Sequence, residues 1–279
     1  MNQTELAQAV QAFARVTVGL TTLEQEWPRQ EPDGLWRGYS DTRDVFFRVY
    51  QELRQLASHI IQQRNADGPK ITTAQRILAQ HQVAYRELWG ALVGVATDEF
   101  DRQPTPDEWQ LRAVMAHIMR TERGFLARIM YALEQKNIEP LSVMPDEHLN
   151  RYGRREADPI GSMGEIMARY DALHDRVLGE LGPLSDEQLT TPSLWWEGYP
   201  VEIKFRMHRF DSHLREHTIQ VDKTLEGIGH KFSEPERLLR LIYQALGEVE
   251  GALIGCPDDS STRQVTANIN ALAADVQPA

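Results

Sequence analysis

Trp109-Gln110-Leu111-Arg112-Ala113-Val114-Met115-Ala116-His117-Ile118 opens a run to Leu133 in which Ala113, Val114, His117, Thr121, Phe125 and Ile129 recur at three- and four-residue spacing. That period places them on one face of a helix, not on the alternating faces of a strand. The Pro-rich stretch Gln103-Pro104-Thr105-Pro106-Asp107 precedes it and marks where the helix begins. The same period recurs on both sides. Thr72 to Val95 carries Ile77, Leu78, His81, Tyr85, Leu88 and Leu92 on one stripe, and Met163 to Leu181 carries Ile166, Met167, Tyr170, Leu173, Val177 and Leu181 before Gly182-Pro183. A fourth helix is expected from Pro200, where the missing N–H costs nothing, to Glu226, ahead of Gly227 and Gly229. Four amphipathic helices of this length predict an all-α four-helix bundle. The first two are joined by a short loop. The second and third are linked by roughly Gln135 to Gly161, and the last two by about eighteen residues holding Trp195, Trp196 and Gly198. Links of that length predict long crossover connections.

The flanks read as helical too, over Thr4 to Leu23, Asp41 to Arg64, Glu234 to Ile254 and Ser260 to Ala274. They echo the centre. Ala12-Phe13-Ala14-Arg15 leading to Leu20, Leu23, Trp27, Arg29 and Gln30 parallels Ala84-Tyr85-Arg86 leading to Leu92, Val95, Phe100, Arg102 and Gln103. Arg43-Asp44-Val45-Phe46-Phe47-Arg48 can be laid on Arg112-Ala113-Val114-Met115-Ala116-His117, and Tyr243, Leu246 and Leu253-Ile254 parallel Tyr170, Leu173 and Leu181. The expectation is a second, degenerate helical unit built from residues 1–69 and 232–279, around a complete bundle of residues 70–231. The plain alternative is that amphipathic helices resemble one another.

Composition narrows the function. With 41% apolar and 25% charged residues the 279-residue chain is of ordinary globular type. Its apolar runs are too short to cross a bilayer, and Met1 to Leu20 lacks the pattern of a secretory leader, so the expectation is a cytoplasmic protein without membrane association. The net charge is −11, and residues 70–231 alone carry 20 Lys and Arg against 25 Asp and Glu. Neither part offers the clustered basic surface by which proteins neutralise nucleic-acid phosphates. A small-molecule substrate is the expected partner, with the chain a monomer or homodimer. The single cysteine, Cys256, excludes an internal disulfide and any cysteine-cluster metal site. A metal would have to sit on His, Asp or Glu.

The run Arg209-Phe210-Asp211-Ser212-His213-Leu214-Arg215-Glu216-His217-Thr218-Ile219-Gln220 holds a histidine pair at i and i+4, on the side that also carries Phe210 and Val221. Buried imidazoles need hydrogen-bond partners or a cation. His117, on the apolar stripe among small neighbours, can meet them if the second and fourth helices pack side by side. Three neutral nitrogens leave coordination positions open, which is the pattern of a catalytic rather than a structural metal site. Asp211, Glu216 and Gln220 are candidates to accept the second N–H of these rings. His81, Tyr85, Tyr170, Trp195 and Trp196 are candidate pocket residues, with His81 the reserve ligand. The competing reading is three separately satisfied core histidines.

These motifs resemble a known family. Trp109 to Ile118, after its Pro-x-Pro turn, is similar to the helix-two signature of the DinB/YfiT-like metal-binding four-helix bundles, in which a Trp and an Arg precede a ligand His. His213-Leu214-Arg215-Glu216-His217 is similar to their helix-four pair, and the resemblance covers residues 72–226. It implies a divalent ion, variously zinc, nickel, iron or manganese, held by His117, His213 and His217. Characterised members include transferases and isomerases that use low-molecular-weight thiols such as bacillithiol or mycothiol, and many have no assigned activity. The resemblance therefore suggests a metal-dependent thiol S-transferase. The alternatives are a metal-dependent hydrolase, since an open site can activate water as well as a thiol, or a non-catalytic metal-stabilised sensor or interaction module. In the flanks Arg48 stands where the ligand histidine would be, so the second unit is expected to bind no metal.

Overall fold

The computed structural model describes residues 3–24, 41–66, 70–135, 143–153, 155–195, 197–256 and 260–276. Trp27, Arg29 and Gln30 of the internal echo, and Trp196, lie outside the described residues. The chain is all-α apart from one short hairpin among these residues. In order the elements are α1 (Gln3–Thr17), α2 (Thr42–Ala66), α3 (Thr73–Leu92), α4 (Thr97–Phe100), α5 (Leu111–Glu134), α6 (Asp146–Asn150), a 3-10 turn (Arg155–Ala157), α7 (Met163–Leu181), α8 (Asp186–Leu189), β1 (Pro192–Leu194), β2 (Pro200–Glu202), α9 (Ile203–Gly227), α10 (Glu234–Leu253) and α11 (Ser260–Val276).

Local chemistry sets the ends of these helices. Ser162 caps α7 and Ser233 caps α10, each accepting from the backbone N–H three residues on, while Glu165 and Glu236 reach back to the cap. Those reciprocal bonds satisfy donors that a helix start leaves orphaned. One expected start moves. Pro200 does not open the fourth helix but begins β2, which pairs antiparallel with β1 in the register Pro192↔Glu202, Ser193↔Val201 and Leu194↔Pro200. The hairpin closes through Gly198, whose φ of 86° suits glycine. Proline lacks the donor that a ladder needs, and a two-stranded edge tolerates that as well as a first helical turn does. Helix α9 then starts at Ile203 with Glu202 at its cap.

The structure divides into two compact units, one of residues 1–70, 86–94 and 232–279, the other of 71–85 and 95–231. The boundary departs from the sequence expectation at residues 86–94, which cluster with the flanking helices. In the first unit α2 packs on α10, and α1 on α11 and α10. Its core joins Leu6, Phe13, Phe46, Leu53, Leu239 and Leu246. Two buried cations are paired there. Arg86 makes a double hydrogen bond to Glu250, 2.6 Å on each arm, and Arg64 donates to the carbonyls of Ala252 and Ile254. Arg48, the counterpart of His117 in the echo, is held by Glu52 at 2.6 Å, and Asn268 donates to the other oxygen of that carboxylate.

In the second unit α5 packs against α9 and α7. His81 on α3 lies against His174 of α7 and Phe210 of α9, so the bundle core is reached from four helices. Arg123 clamps the segment after α6 onto α5, pairing with Asp158 through both nitrogens and donating to the Tyr152 carbonyl. At the other end, Lys223 pairs with Glu108, Thr224 donates to the Trp109 carbonyl, and Gly227 admits the Pro104 ring at a distance that a Cβ would close. These contacts tie the end of α9 to the segment that leads into α5, and so fix how His117 faces α9.

Candidate metal centre

His117 comes from α5, and His213 and His217 from successive turns of α9. The side-by-side packing of these two helices brings the three rings together. His213 Nε2 lies 3.2 Å from His117 Nε2 and 3.0 Å from His217 Nε2. The Nε2 of a neutral His213 offers either one proton or one lone pair, so it can make one well-directed hydrogen bond and not two. A cation satisfies all three. With metal–nitrogen bonds of about 2.05 Å, two ligand nitrogens stand about 2.9 Å apart at a right angle and about 3.4 Å apart at the tetrahedral angle. The observed separations fall between these limits, so the residues present fit a divalent ion.

The surroundings prepare the rings for that role. His213 is buried, and burial first, then the neighbouring His217, His117 and Arg209, pulls its pKa down to about 3. Burial, His217 and Arg120 lower that of His117 as well. Both rings are therefore neutral at physiological pH, the state in which imidazole is a ligand. His217 Nδ1 lies 2.7 Å from Gln220 Oε1. A ring that donates there keeps its lone pair on Nε2, facing the other two histidines. Trp109, exposed at the surface, tilts over His117 at 5.2 Å, and Phe125 presents an edge to His213.

The other candidates are distributed differently. Of the three polar candidates on α9, Gln220 touches a histidine of the group, whereas Glu216 is exposed and pairs with Arg209, and Asp211 faces Arg215 at 3.8 Å. Trp195 is buried under the hairpin, beneath the Arg206 guanidinium and against Phe205. Arg206 is itself buried and donates to Ser193 Oγ and the Leu194 carbonyl, so this pair anchors the hairpin to α9. His81, Tyr85 and Tyr170 are brought together, but with one another. Tyr85 stacks on His174 at 3.7 Å, Tyr170 donates to Glu122 at 2.9 Å, and His81 lies beside both Glu122 and His174.

Among the described residues, two groups of side chains could thus hold a metal ion, His117/His213/His217 and the buried His81/Glu122/His174. A family model described as the DinB superfamily matches residues 78–221, just over half of the chain and the span that carries both groups. The chain belongs to the DinB superfamily. No curated protein and no solved structure matches it. For this DinB chain, sequence reasoning missed Glu122, His174 and Gln82. The signal was present in the helix period. Glu122 follows Ile118 by four residues on α5, and His174 follows Tyr170 by four on α7, so each is a polar residue on a stripe that the bundle buries.

Proposed function

We propose that this DinB-superfamily chain is a divalent-metal-dependent enzyme acting on a small molecule, of the thiol-dependent transferase type, with His117, His213 and His217 as its metal ligands. The observation that carries the reading is the meeting of the three imidazoles, with His213 Nε2 3.2 Å from His117 Nε2 and 3.0 Å from His217 Nε2, beside a half-exposed face. Zinc, nickel, iron and manganese all accept such a set. When bound, an ion of this kind supplies Lewis acidity that makes a thiol or water anionic near neutral pH. The chain's own residues do the rest. Gln220 fixes the His217 tautomer, burial keeps His213 unprotonated, Phe125 closes the inner side against water, and Trp109 offers an aromatic face to the apolar part of an incoming electrophile.

The test combines metal analysis of the full-length chain with consumption of small thiols in the presence of reactive electrophiles. Metal-dependent thiol consumption that falls at least 100-fold in His117→Ala supports the reading. Turnover of esters or amides without a thiol moves the assignment to a hydrolase. Metal that raises thermal stability without turnover of any substrate moves it to a non-catalytic module.

A further inference from the structure

We propose that His81, Glu122 and His174 form a second divalent-metal site, enclosed in the core of the same bundle and separate from the three-histidine group. One potential ligand atom from each lies within 4.8 Å of the others, and all three residues are at most 2% exposed. The arrangement is unsatisfied as it stands. Neither nitrogen of His81 has a hydrogen-bond partner, nor does Glu122 Oε2, and the two side chains stand 3.7 Å apart, beyond hydrogen-bonding distance. A buried donor or acceptor left in this state costs more than one hydrogen bond contributes, so the cluster needs something between its members.

The surrounding contacts orient the potential ligand atoms. Tyr170 occupies Glu122 Oε1 and leaves Oε2 towards His81. Gln82 Oε1 lies 2.6 Å from His174 Nε2, and a neutral ring donating there keeps its lone pair on Nδ1. Gln82 thereby stands to His174 as Gln220 stands to His217. Tyr85, parallel to His174 within 6°, fixes the plane of that ring. Two imidazoles and one carboxylate suit Fe(II), Mn(II) or Zn(II), and the carboxylate offsets half the charge that a divalent ion would bring into the core. With no exposed ligand the site is structural in kind. It joins α3, α5 and α7, whereas the three-histidine group joins α5 and α9, so two ions together would cross-link all four bundle helices.

The experiment is metal counting on the full-length chain, produced in medium supplemented with zinc, manganese or iron and, in parallel, refolded with Co(II). Two equivalents are expected in the wild type, one in His117→Ala and one in Glu122→Gln. A wild type that holds one ion, lost in His117→Ala, overturns the second site and leaves the functional reading standing. One ion retained by His117→Ala and lost in Glu122→Gln supports the second site and removes the first. Two ions in both the wild type and Glu122→Gln also overturn the proposal. Circular dichroism checks the fold of each variant. Should Glu122→Gln not fold, His81→Asn takes its place, and fewer than two breaks in the Co(II) titration of the wild type overturns the proposal.

Discussion

His217 and Gln220 lie one helical turn apart on α9, and the 2.7 Å hydrogen bond between His217 Nδ1 and Gln220 Oε1 decides which ring nitrogen is presented to His213 and His117. Removing the acceptor frees the ring to flip or to move its proton. Gln220→Ala is expected to weaken metal binding about 10- to 100-fold without unfolding the chain, as loss of an outer hydrogen bond does at metal-bound histidines. Gln220→Glu should retain binding. Competition titration against a chromophoric chelator measures both.

Trp109 stands 5.2 Å from His117 and is exposed. Loading the site with Ni(II) or Co(II), whose partly filled d shells quench indole, should therefore reduce tryptophan emission even though the chain has six tryptophans. The quench should largely disappear in Trp109→Phe while metal content stays the same.

The metal-free chain should be most stable near pH 6.5. His81 and His213 have pKa values of about 3 in the folded state against 6.5 ordinarily, so between pH 6.5 and 3 the unfolded chain binds the extra protons and stability falls with pH. Glu122 is shifted the other way by burial, to about 8 from 4.5, so between pH 4.5 and 8 the folded chain holds the extra proton and stability falls as pH rises. The two histidines outweigh the one carboxyl below pH 6.5, and the carboxyl acts alone above it. Each unopposed group contributes a slope of up to about 1.4 kcal/mol per pH unit. Urea unfolding across this range in the presence of chelator tests the profile, and Glu122→Gln should flatten its alkaline side.

In the flanking unit, Glu250→Ala leaves the buried Arg86 guanidinium without its carboxylate. Removal of one partner from a buried ion pair typically costs about 3–5 kcal/mol. Denaturant unfolding should show a loss of that order, and the double variant Arg86→Met with Glu250→Leu should recover much of it, because no charge remains buried.

Much of this protein could be read from periodicity. The stripe Met163–Leu181 became α7 with the expected limits, since its buried face is apolar but for Tyr170 and His174, and Ser162 and Gly182 bound it. Pro200 misled because its missing donor is compatible with a helix start and with an edge strand alike, and only its pairing with Leu194 across the hairpin decides between them. The burial of Arg206 is not legible in its residue type, because a long basic side chain on a helix normally stays in water, while here a carbonyl, a hydroxyl and the face of Trp195 receive it.

The helical class, the four stripes and the shared face of His213 and His217 were determined by the order of residues, because a period of 3.6 is a local property of the backbone, while His117 was joined to that pair by the family resemblance. Which polar side chains share a centre was not. His81, Glu122 and His174 are 41 and 52 residues apart along the chain, and their meeting depends on the rotation of α3, α5 and α7 about their own axes. Those rotations are set by how whole helices pack, and no local pattern encodes them.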